Sequence, residues 1–460
     1  MAKLMLIVML IFHATYADEV YQNSSHICEK CRCTDEDIFT IDCSNQKFQH
    51  VLANWPPHNK SLVGTFSYNN MTTLEKIPIT DQKAKLVFDH CNIQYLDRSV
   101  FSNIKNVEYI DLSYNLLKTE EIDGDDFKGP YNNKKFHPIA VKYLSLAYNQ
   151  IHSLPQKFFE NMPDLEEVHL EGNDFSVLDP HTQVAISTLS KLKVLNLANN
   201  ELTEIEPTAL KNLQHLEELD LSYNHLDFVP DNVKYLSKTL RVLKLSHNYI
   251  FELNDKSFIG LNLIELHLDN LPRLEYVGPN TFATLPNLKN LRLSNNSNLR
   301  AIDREAFREN QSLDELHIND NDLRTINYKL LNWSNLKILN MGNNPFVCDC
   351  NLHNISASLS ATVSKNLDGP ICLDNQGRST PIYTLKEIDC RSEVSPFHIT
   401  KVAQHFETMR TIMIILSTML VMGAIILIIV SFLRYKKSVA SQNYPFITQV
   451  SYNPLQTQYM

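Results

Sequence analysis

The sequence predicts an α/β-type repeat solenoid that is built from parallel strands and closed by disulfides at both ends. Three features of its 460 residues lead to this prediction. A phrase of alternating leucines that ends on a polar residue recurs along the chain, its copies lie about 24 residues apart, and two groups of cysteines flank them. Units of a fixed period stack only on their neighbours and bury one continuous core between them.

The recurring phrase reads LSLAYNQI from Leu144, LNLANNEL from Leu195 and LDLSYNHL from Leu219. Alternating leucines fall on the same face of a strand, so the phrase predicts a short strand with one buried face. The apolar residues that follow bring the chain back beneath that strand. The polar position of the phrase falls at Asn69, Cys91, Asn115, Asn149, Asn173, Asn200, Asn224, Asn248, Leu271, Asn296, Asn321 and Asn344.

These copies fit the pattern L-x-x-L-x-L-x-x-N/C-x-L, and residues 62–346 therefore resemble the leucine-rich-repeat family. The resemblance implies a horseshoe with the parallel strands on its concave face. It also implies that each Asn side chain lies inside a turn and hydrogen-bonds the backbone of the adjacent coil, where an unpaired group would cost about 1–3 kcal/mol. Cys91 fits the same position and is expected to be a buried free thiol.

Three repeats depart from the regular pattern. The interval between Asn115 and Asn149 is 34 residues long and holds a polar insert with Gly and Pro, residues 122–138. This composition predicts a loop that leaves the solenoid. Two other copies carry their next leucine one position late, at Leu274 and Leu299, which predicts a bulged turn in each.

Apolar segments of different length lie near the two ends of the chain. Residues 1–17 have a basic start, a short apolar run and small residues at its end, as in a cleaved secretory signal peptide. Residues 411–433 are an uncharged run long enough to cross a hydrocarbon core of roughly 30 Å, and Arg434 and two lysines follow. The chain is therefore expected in the plasma membrane as a single-pass type I protein with its amino terminus outside.

These features predict the order of segments along the chain. The order is a signal peptide (1–17), an amino-terminal cysteine-rich cap (18–60), about 12 repeats (61–346), a carboxy-terminal cysteine-rich cap (347–390), a juxtamembrane stalk (391–410), the membrane span (411–433) and a disordered cytoplasmic tail (434–460). All seven N-x-S/T sequons fall in the part expected outside, where they predict glycosylation. They are Asn23, Asn59, Asn70, Asn295, Asn310, Asn332 and Asn354.

Eight of the nine cysteines form two groups at the ends of the repeats. Cys-x-x-Cys spacing can also indicate zinc or redox chemistry, but an extracellular compartment favours disulfides. Spacing alone leaves three ways to pair each group of four. The resemblance to capped leucine-rich-repeat proteins implies the pairs Cys28–Cys33, Cys31–Cys43, Cys348–Cys372 and Cys350–Cys390.

Signatures of catalysis, phosphate binding and metal binding are not found in the sequence, so we expect no enzymatic activity and no cofactor. The net charge is −10 and no basic run occurs, which argues against a nucleic-acid partner. His169, His267 and His317 share one repeat position. An ordinary exposed surface explains these histidines better than a metal site or a pH-sensing site.

Binding is the function that remains. Strands spaced roughly 4.8 Å apart give twelve repeats a concave surface about 55 Å long, enough for an extracellular protein ligand or a cell-surface protein. We expect adhesion or recognition at the cell surface, and the alternative is a co-receptor or innate-immune sensor of a secreted or microbial ligand. The convex side and the loops are alternative binding surfaces. The candidate ligand-binding residues are Tyr109, Asp111, Tyr143, Glu167, His169, Glu218, Asp220 and Lys244, and the same face continues with Glu265, His267, Arg292, Glu315 and His317.

The cytoplasmic tail carries two Tyr-x-x-apolar motifs, Tyr444 to Ile447 and Tyr452 to Leu455. Such motifs resemble the sorting signals that clathrin adaptors bind as extended strands. Tyr452 also fits an inhibitory motif for a phosphotyrosine reader, because Val450 lies two residues before it. The two uses exclude each other at Tyr452, since phosphate adds about −1.5 to −2 charge to a ring that adaptors hold in an apolar pocket. Endocytosis is the use we favour.

Overall fold

The computed structural model describes residues 27–308, 312–359, 363, 371–374 and 377–385. All of them belong to the unit Met1–Ile388. In this part of the chain, no helix is long and apolar enough to cross a membrane. The predicted signal peptide, stalk, membrane span and tail lie outside the described residues, so they stay predictions.

Short strands, one per repeat, dominate the described chain. The strands are β1 (Arg32–Asp35), β2 (Phe39–Asp42), β3 (Leu62–Thr65), β4 (Thr73–Leu74), β5 (Thr80–Val87), β6 (Tyr95–Leu96), β7 (Ile104–Asp111), β8 (Tyr143–Ser145), β9 (Glu167–His169), β10 (Val194–Asn196), β11 (Glu218–Asp220), β12 (Val242–Lys244), β13 (Glu265–His267), β14 (Tyr276–Val277), β15 (Asn290–Arg292), β16 (Ala301–Ile302), β17 (Glu315–His317), β18 (Ile338–Asn340), β19 (Phe346–Val347), β20 (Ile371–Leu373) and β21 (Ser379–Pro381).

Helices are few and short. They are α1 (Ile27–Lys30), α2 (Pro180–Ser187) and α3 (Cys350–Ser358), with 3-10 turns at Thr119–Glu121, Gly124–Phe127, Asp231–Leu236, Trp333–Asn335 and Ile382–Thr384. Asp179 begins α2, because its side chain accepts a hydrogen bond from the backbone N–H of Thr182 and Pro180 then fits the first helical position.

One sheet of 14 strands runs through the unit in the order β1-β2-β3-β5-β7-β8-β9-β10-β11-β12-β13-β15-β17-β18. The first pair is antiparallel, and every later neighbouring pair is parallel. The twelve strands from β3 onward are the twelve predicted repeats. This confirms the repeat solenoid with a parallel sheet.

Leucines in register form the core beneath this sheet. Leu195, Leu219 and Leu243 lie opposite one another in β10, β11 and β12, and each is fully buried. Burial of one such side chain stabilises the fold by about 1.5–3 kcal/mol. Because each leucine is covered by its counterparts in the adjacent repeats, a repeat gains this stabilisation only within the stack.

The polar position of each repeat is a buried column of amides, as predicted. All ten Asn of this column are at most 6% exposed. Asn224 is typical: its Nδ2 donates to the carbonyls of Leu197 and Leu221 at 2.9 and 3.1 Å, and its Oδ1 accepts from the N–H of Leu202 at 3.0 Å. Nine of the ten amides pair backbone groups of two successive coils in this way. We call these ten residues the Asn column.

Cys91 takes the place of an Asn in this column and is a buried free thiol. Its Sγ donates to the carbonyl of Phe66 at 3.0 Å, so the thiol satisfies one of the groups that an amide would. Burial raises the pKa of the thiol to about 11, which keeps it protonated at neutral pH. The prediction for Cys91 is confirmed.

Disulfides join the cysteines at the two ends of the repeats. Cys28 is bonded to Cys33 and Cys31 to Cys43, and these bonds hold α1 and β1 on the end of the sheet. After the repeats, Cys348 is bonded to Cys372, beside the small sheet of β19, β20 and β21. Cys390 lies outside the described residues, so the pair Cys350–Cys390 stays a prediction.

The insert 122–138 differs from the predicted loop. Its first part forms the turn Gly124–Phe127, and the ring of Phe127 is fully buried between those of Phe101 and Phe158, at centroid distances of 5.7 and 5.4 Å. Only the residues after this turn project from the solenoid. Among them, Tyr131 and Phe136 pair in an isolated antiparallel β-bridge. The prediction missed Phe127, because one Phe in a polar stretch gives no periodicity, yet here it continues a column of core phenylalanines.

The two late leucines sit after tight turns, as predicted. The backbone N–H of Leu274 donates to the carbonyl of Leu271, and that of Leu299 to Asn296, each three residues earlier. The extra residue is thus absorbed in the turn. The chain then forms β14 and β16, which pair with each other away from the main sheet.

Candidate ligand-binding face

The exposed face of the main sheet carries a row of aromatic rings on β7, β8 and β9. Tyr109 and Tyr143 lie opposite each other in register, with ring centroids 4.0 Å apart and planes 7° apart. The ring of His169 follows, 5.0 Å from that of Tyr143. Burial raises the pKa of both tyrosine hydroxyls, so they remain neutral hydrogen-bonding groups at physiological pH.

Carboxylates surround His169. Its Nδ1 lies 3.5 Å from Oε2 of Glu171, and its Nε2 lies 4.0 Å from Oε2 of Glu167. Burial alone would lower the pKa of His169, but the carboxylate of Glu171 close beside its ring, with the charges of Glu167 and Asp111, outweighs burial and raises it. The structure thus brings together the five predicted residues of β7, β8 and β9 as one polar, aromatic surface.

The predicted residues of β11 and β12 form a second, ion-paired cluster. Lys244 Nζ lies 2.6 Å from Oε1 of Glu218 and 3.6 Å from Oδ2 of Asp220. Burial lowers the pKa of Lys244, but its contacts with the two carboxylates outweigh burial and raise it. Sequence reasoning listed these charges singly, because the pairing depends on the register between β11 and β12.

Further along the sheet the charges are also paired. Glu265 Oε1 contacts Nε2 of His267 at 2.5 Å, and Arg292 Nε donates to Oδ2 of Asp269 at 3.0 Å. Burial and the charge of Arg292 lower the pKa of His317. Within the described residues, no group of three or more His, Cys, Asp or Glu could hold a metal ion.

Sequence reasoning missed a second column of side chains, at the position just before the Asn column. The backbone there is left-handed, with φ between 53° and 60° at Tyr68, His90, Tyr114 and Tyr148. Their rings form a continuous stack, with successive centroids 4.5, 4.3 and 4.2 Å apart. The three tyrosines are 37–59% exposed. We call this stack the aromatic ridge; the repeated phrases SYN and AYN were its signal in the sequence.

The ridge is interrupted and then resumes. The next two positions hold Gly172 and Asn199, after which Tyr223 and His247 stack at a centroid distance of 3.8 Å. A Cβ at Gly172 would lie only 2.4 Å from Cδ1 of Tyr148, so the Tyr148 ring rests against the Gly172 backbone. We call the interval at Gly172 and Asn199 the ridge gap.

An open depression of about 480 Å³ lies at the ridge gap, between the ridge and the sheet. Its charged lining consists of carboxylates from three repeats and one guanidinium: Glu171, Asp220, Asp269 and Arg292. Oε2 of Glu171 is buried and makes no hydrogen bond. Carboxylates therefore exceed cations in this depression.

Four of the predicted glycosylation sites are exposed in the structure, which is what attachment of a glycan requires. These are Asn59, Asn70, Asn295 and Asn332. Asn354 is partly exposed, in α3, and Asn23 and Asn310 lie outside the described residues. Asn295 occupies the ridge position of its repeat and borders the depression at its carboxy-terminal side.

Family models match the repeats directly. The model for leucine rich repeats matches residues 139–189 and 182–226, and the model for the BspA type leucine rich repeat region matches residues 229–352. Among solved structures, the TLR13–ssRNA13 complex aligns with a TM-score of 0.57 at 19% identity, over 77% of this chain and 57% of that one. A likeness at this identity concerns the fold alone.

Curated relatives are similar over the repeats. Osteomodulin of Rattus norvegicus is 26% identical over 290 residues, 61% of this chain and 62% of that protein. Transforming growth factor beta activator LRRC33 of Danio rerio is 26% identical over 351 residues, 69% and 47% of the two chains, and Tsukushi of Gallus gallus is 32% identical over 234 residues, 46% and 61%. In each alignment the chain spans less than two thirds of the relative's length.

Proposed function

The chain is a leucine-rich-repeat protein, and we propose that it is a cell-surface adhesion or recognition receptor that binds an extracellular protein. One observation carries the proposal: half-buried aromatic rings and carboxylates lie side by side on the solvent-facing side of β7, β8 and β9, outside the leucine core. Tyrosine is enriched at protein interfaces because it offers a rigid apolar ring and a polar end.

The class of partner follows from the charge of this face. From β7 to β15 this face is mainly acidic, since its lysine and its arginine, Lys244 and Arg292, already contact carboxylates. Phosphate backbones are bound mainly by free lysines and arginines, so we propose a protein ligand and no nucleic acid. The similarity to LRRC33, which is named an activator of transforming growth factor beta, favours an alternative in which the ligand is a secreted protein.

We propose that residues 411–433 anchor the protein in the plasma membrane with the repeats outside, because this uncharged run precedes Arg434 and Lys436. Protease added to intact cells that carry a carboxy-terminal tag should remove the repeats and leave the tag. Loss of the tag under the same conditions would reverse the orientation.

For the tail we propose a role in endocytosis through Tyr444 and Tyr452. Surface-labelled protein with both changed to Ala should be taken up more slowly than the wild type. Uptake at the wild-type rate would overturn the sorting proposal. Phosphorylation of Tyr452 after ligand engagement would instead favour a phosphotyrosine reader as the partner.

A cell-aggregation assay tests the adhesion proposal. Cells that express the full chain are expected to aggregate with one another or with cells that lack it, and Glu167→Arg with Asp220→Arg should abolish this while surface expression stays normal. Glu204→Arg with Glu206→Arg is the matched control, because it makes the same charge change at exposed residues outside the strands.

Three results would count against the proposal or redirect it. Aggregation that persists in the Glu167 and Asp220 variant would move the binding surface off the sheet face. An equal loss of aggregation in both variants would mean that the net charge of the protein, and not this face, governs contact between cells. Wild-type cells that do not aggregate under any pairing would overturn adhesion in favour of a receptor for a soluble ligand.

A further inference from the structure

The ridge gap differs from the rest of the ridge in what its rings offer. In the continuous part each inner ring is covered on both faces by its neighbours, so only ring edges are exposed. At the gap, Tyr223 is stacked on His247 and in the described chain carries no ring on its other face, whereas Tyr148 is stacked on Tyr114 and its other face rests against the backbone of Gly172. One open aromatic face, that of Tyr223, thus borders the opening.

Charge at the opening is unbalanced. Asp269 contacts Arg292 at 3.0 Å, and Asp220 lies 3.6 Å from Lys244, which is bound more closely to Glu218. Glu171 has a buried oxygen without a hydrogen bond, and Nδ1 of His169 lies 3.5 Å from it. A cationic group with several donors would complete this site.

The groups that line the opening favour one of the two cationic side chains of proteins, arginine, over the other, lysine. A guanidinium is planar, stacks on aromatic faces and presents five N–H donors in a fork that matches carboxylates. An ammonium is compact and keeps its hydration more strongly, so it gains less on an aromatic face. Arg292 on Asp269 is a guanidinium already held by a carboxylate of the same depression.

We propose that the ridge gap is a receptor for an arginine side chain presented by the protein ligand. The guanidinium stacks on the open face of Tyr223 and donates to Glu171 and Asp220. This inference rests on the proposed function, because it supposes a protein partner, and it assigns one chemical feature to that partner.

The experiment measures binding of N-acetyl-arginine amide to the full chain by saturation-transfer NMR. A dissociation constant on the order of 1 mM is expected for so small a probe. N-acetyl-citrulline amide has nearly the same shape without the charge and should bind at least about tenfold more weakly; N-acetyl-lysine amide should also bind more weakly. Citrulline binding equal to that of arginine would overturn the proposal.

Asn199→Tyr is the decisive variant, because it fills the gap with a ring. Asn199 has φ of 51°, close to the φ of 53–60° at the ridge tyrosines, so the backbone already suits Tyr. We expect binding of the arginine probe to fall at least tenfold with no loss of thermal stability. Asn343→Tyr is the matched control, at the same repeat position with φ of 53° and outside the depression, and should bind normally.

The outcomes separate this inference from the proposed function. If Asn199→Tyr loses the arginine probe but cells still aggregate, the ligand does not use the gap and the inference is wrong while the adhesion proposal stands. If the probe does not bind to the wild-type protein, the inference is likewise wrong and the adhesion proposal still stands. If the probe binds as expected and wild-type cells do not aggregate, the gap stands and adhesion fails.

Discussion

The Asn column and the ridge positions are one residue apart in every repeat, yet they have different roles. Asn115 is 5% exposed and makes five hydrogen bonds to backbone groups, at 2.8–3.1 Å. Tyr114 beside it is 45% exposed, and its backbone N–H is satisfied by the carbonyl of Ala147 whatever its side chain. The fold therefore depends on the buried side chain and leaves the exposed one free to vary.

The ridge position is not free of cost. Its left-handed backbone favours Gly, Asn and Asp, and a bulky side chain there is strained. Six aromatic rings occupy it nonetheless: Tyr68, His90, Tyr114, Tyr148, Tyr223 and His247. Stacked aromatic pairs contribute about 0.5–1.5 kcal/mol each, so a continuous stack offsets the strain. Where the stack is interrupted, this stacking free energy is lost, and for that reason the ridge gap is informative.

The largest expected effect lies in the buried column. Asn115→Leu removes all five hydrogen bonds and leaves backbone groups of two coils unpaired, so the free energy of unfolding should fall by at least about 3 kcal/mol. The neighbouring change Tyr114→Asn suits the left-handed backbone and removes two ring stacks, with an expected loss of about 1–2 kcal/mol. Denaturant unfolding measures both, and equal losses would contradict the division of roles.

Cys91 tests whether the buried column needs a polar group or only volume. Cys91→Leu should lower the free energy of unfolding by about 0.5–1.5 kcal/mol, because the carbonyl of Phe66 loses the thiol and keeps only Nδ2 of Asn69 as a donor. Cys91→Asn restores the amide found in ten other repeats and should be nearly neutral. A Leu variant as stable as the wild type would mean that packing alone holds this position.

Asp126 is a buried acid outside the Asn column and sharpens the comparison with a buried amide. Burial raises its pKa from 3.8 to about 6, so the folded state holds its proton more tightly than the unfolded state. Stability is therefore lost as pH rises from about 4 to 6. Asp126→Asn should add about 1 kcal/mol at pH 7 and nothing at pH 4. Thermal unfolding at the two pH values measures this, and an equal gain at both would contradict it.

The smallest effect concerns His169, on the exposed face. Its pKa is raised, so the stability it contributes is complete below the ordinary histidine pKa and lost as pH rises through the raised value. Glu171→Gln removes the strongest raising contact, and burial then lowers the pKa of His169. Titration of its ring signals by NMR should report the fall. An unchanged pKa would mean that Glu167 and Asp111 are sufficient.

Buried features of this molecule could be predicted from the sequence and exposed ones only in part. The Asn column, Cys91 and the turns before Leu274 and Leu299 leave a periodic trace, because burial restricts residue type. Phe127 was missed, since a single apolar residue in a polar stretch has no period. Charge pairs such as Lys244 with Glu218 depend on strand register.

The aromatic ridge was missed for another reason. A positive φ is not visible in a hydrophobic pattern, so the residue before each Asn looked like an ordinary turn position. The recurrence of Tyr and His there was the signal, and its interruption at Gly172 and Asn199 was readable once the stack was known.

Asn199 and Asn200 provide the most direct test, because the two residues are neighbours of identical chemistry in different columns. Asn200→Ala removes buried hydrogen bonds to Leu170 and Leu197 and should lower Tm by about 5–10 °C while arginine-amide binding persists below it. Asn199→Tyr should leave Tm unchanged or higher and abolish that binding. Unfolding and probe binding measured on both variants decide the matter: a large loss of Tm in Asn199→Tyr, or no loss in Asn200→Ala, would contradict the account.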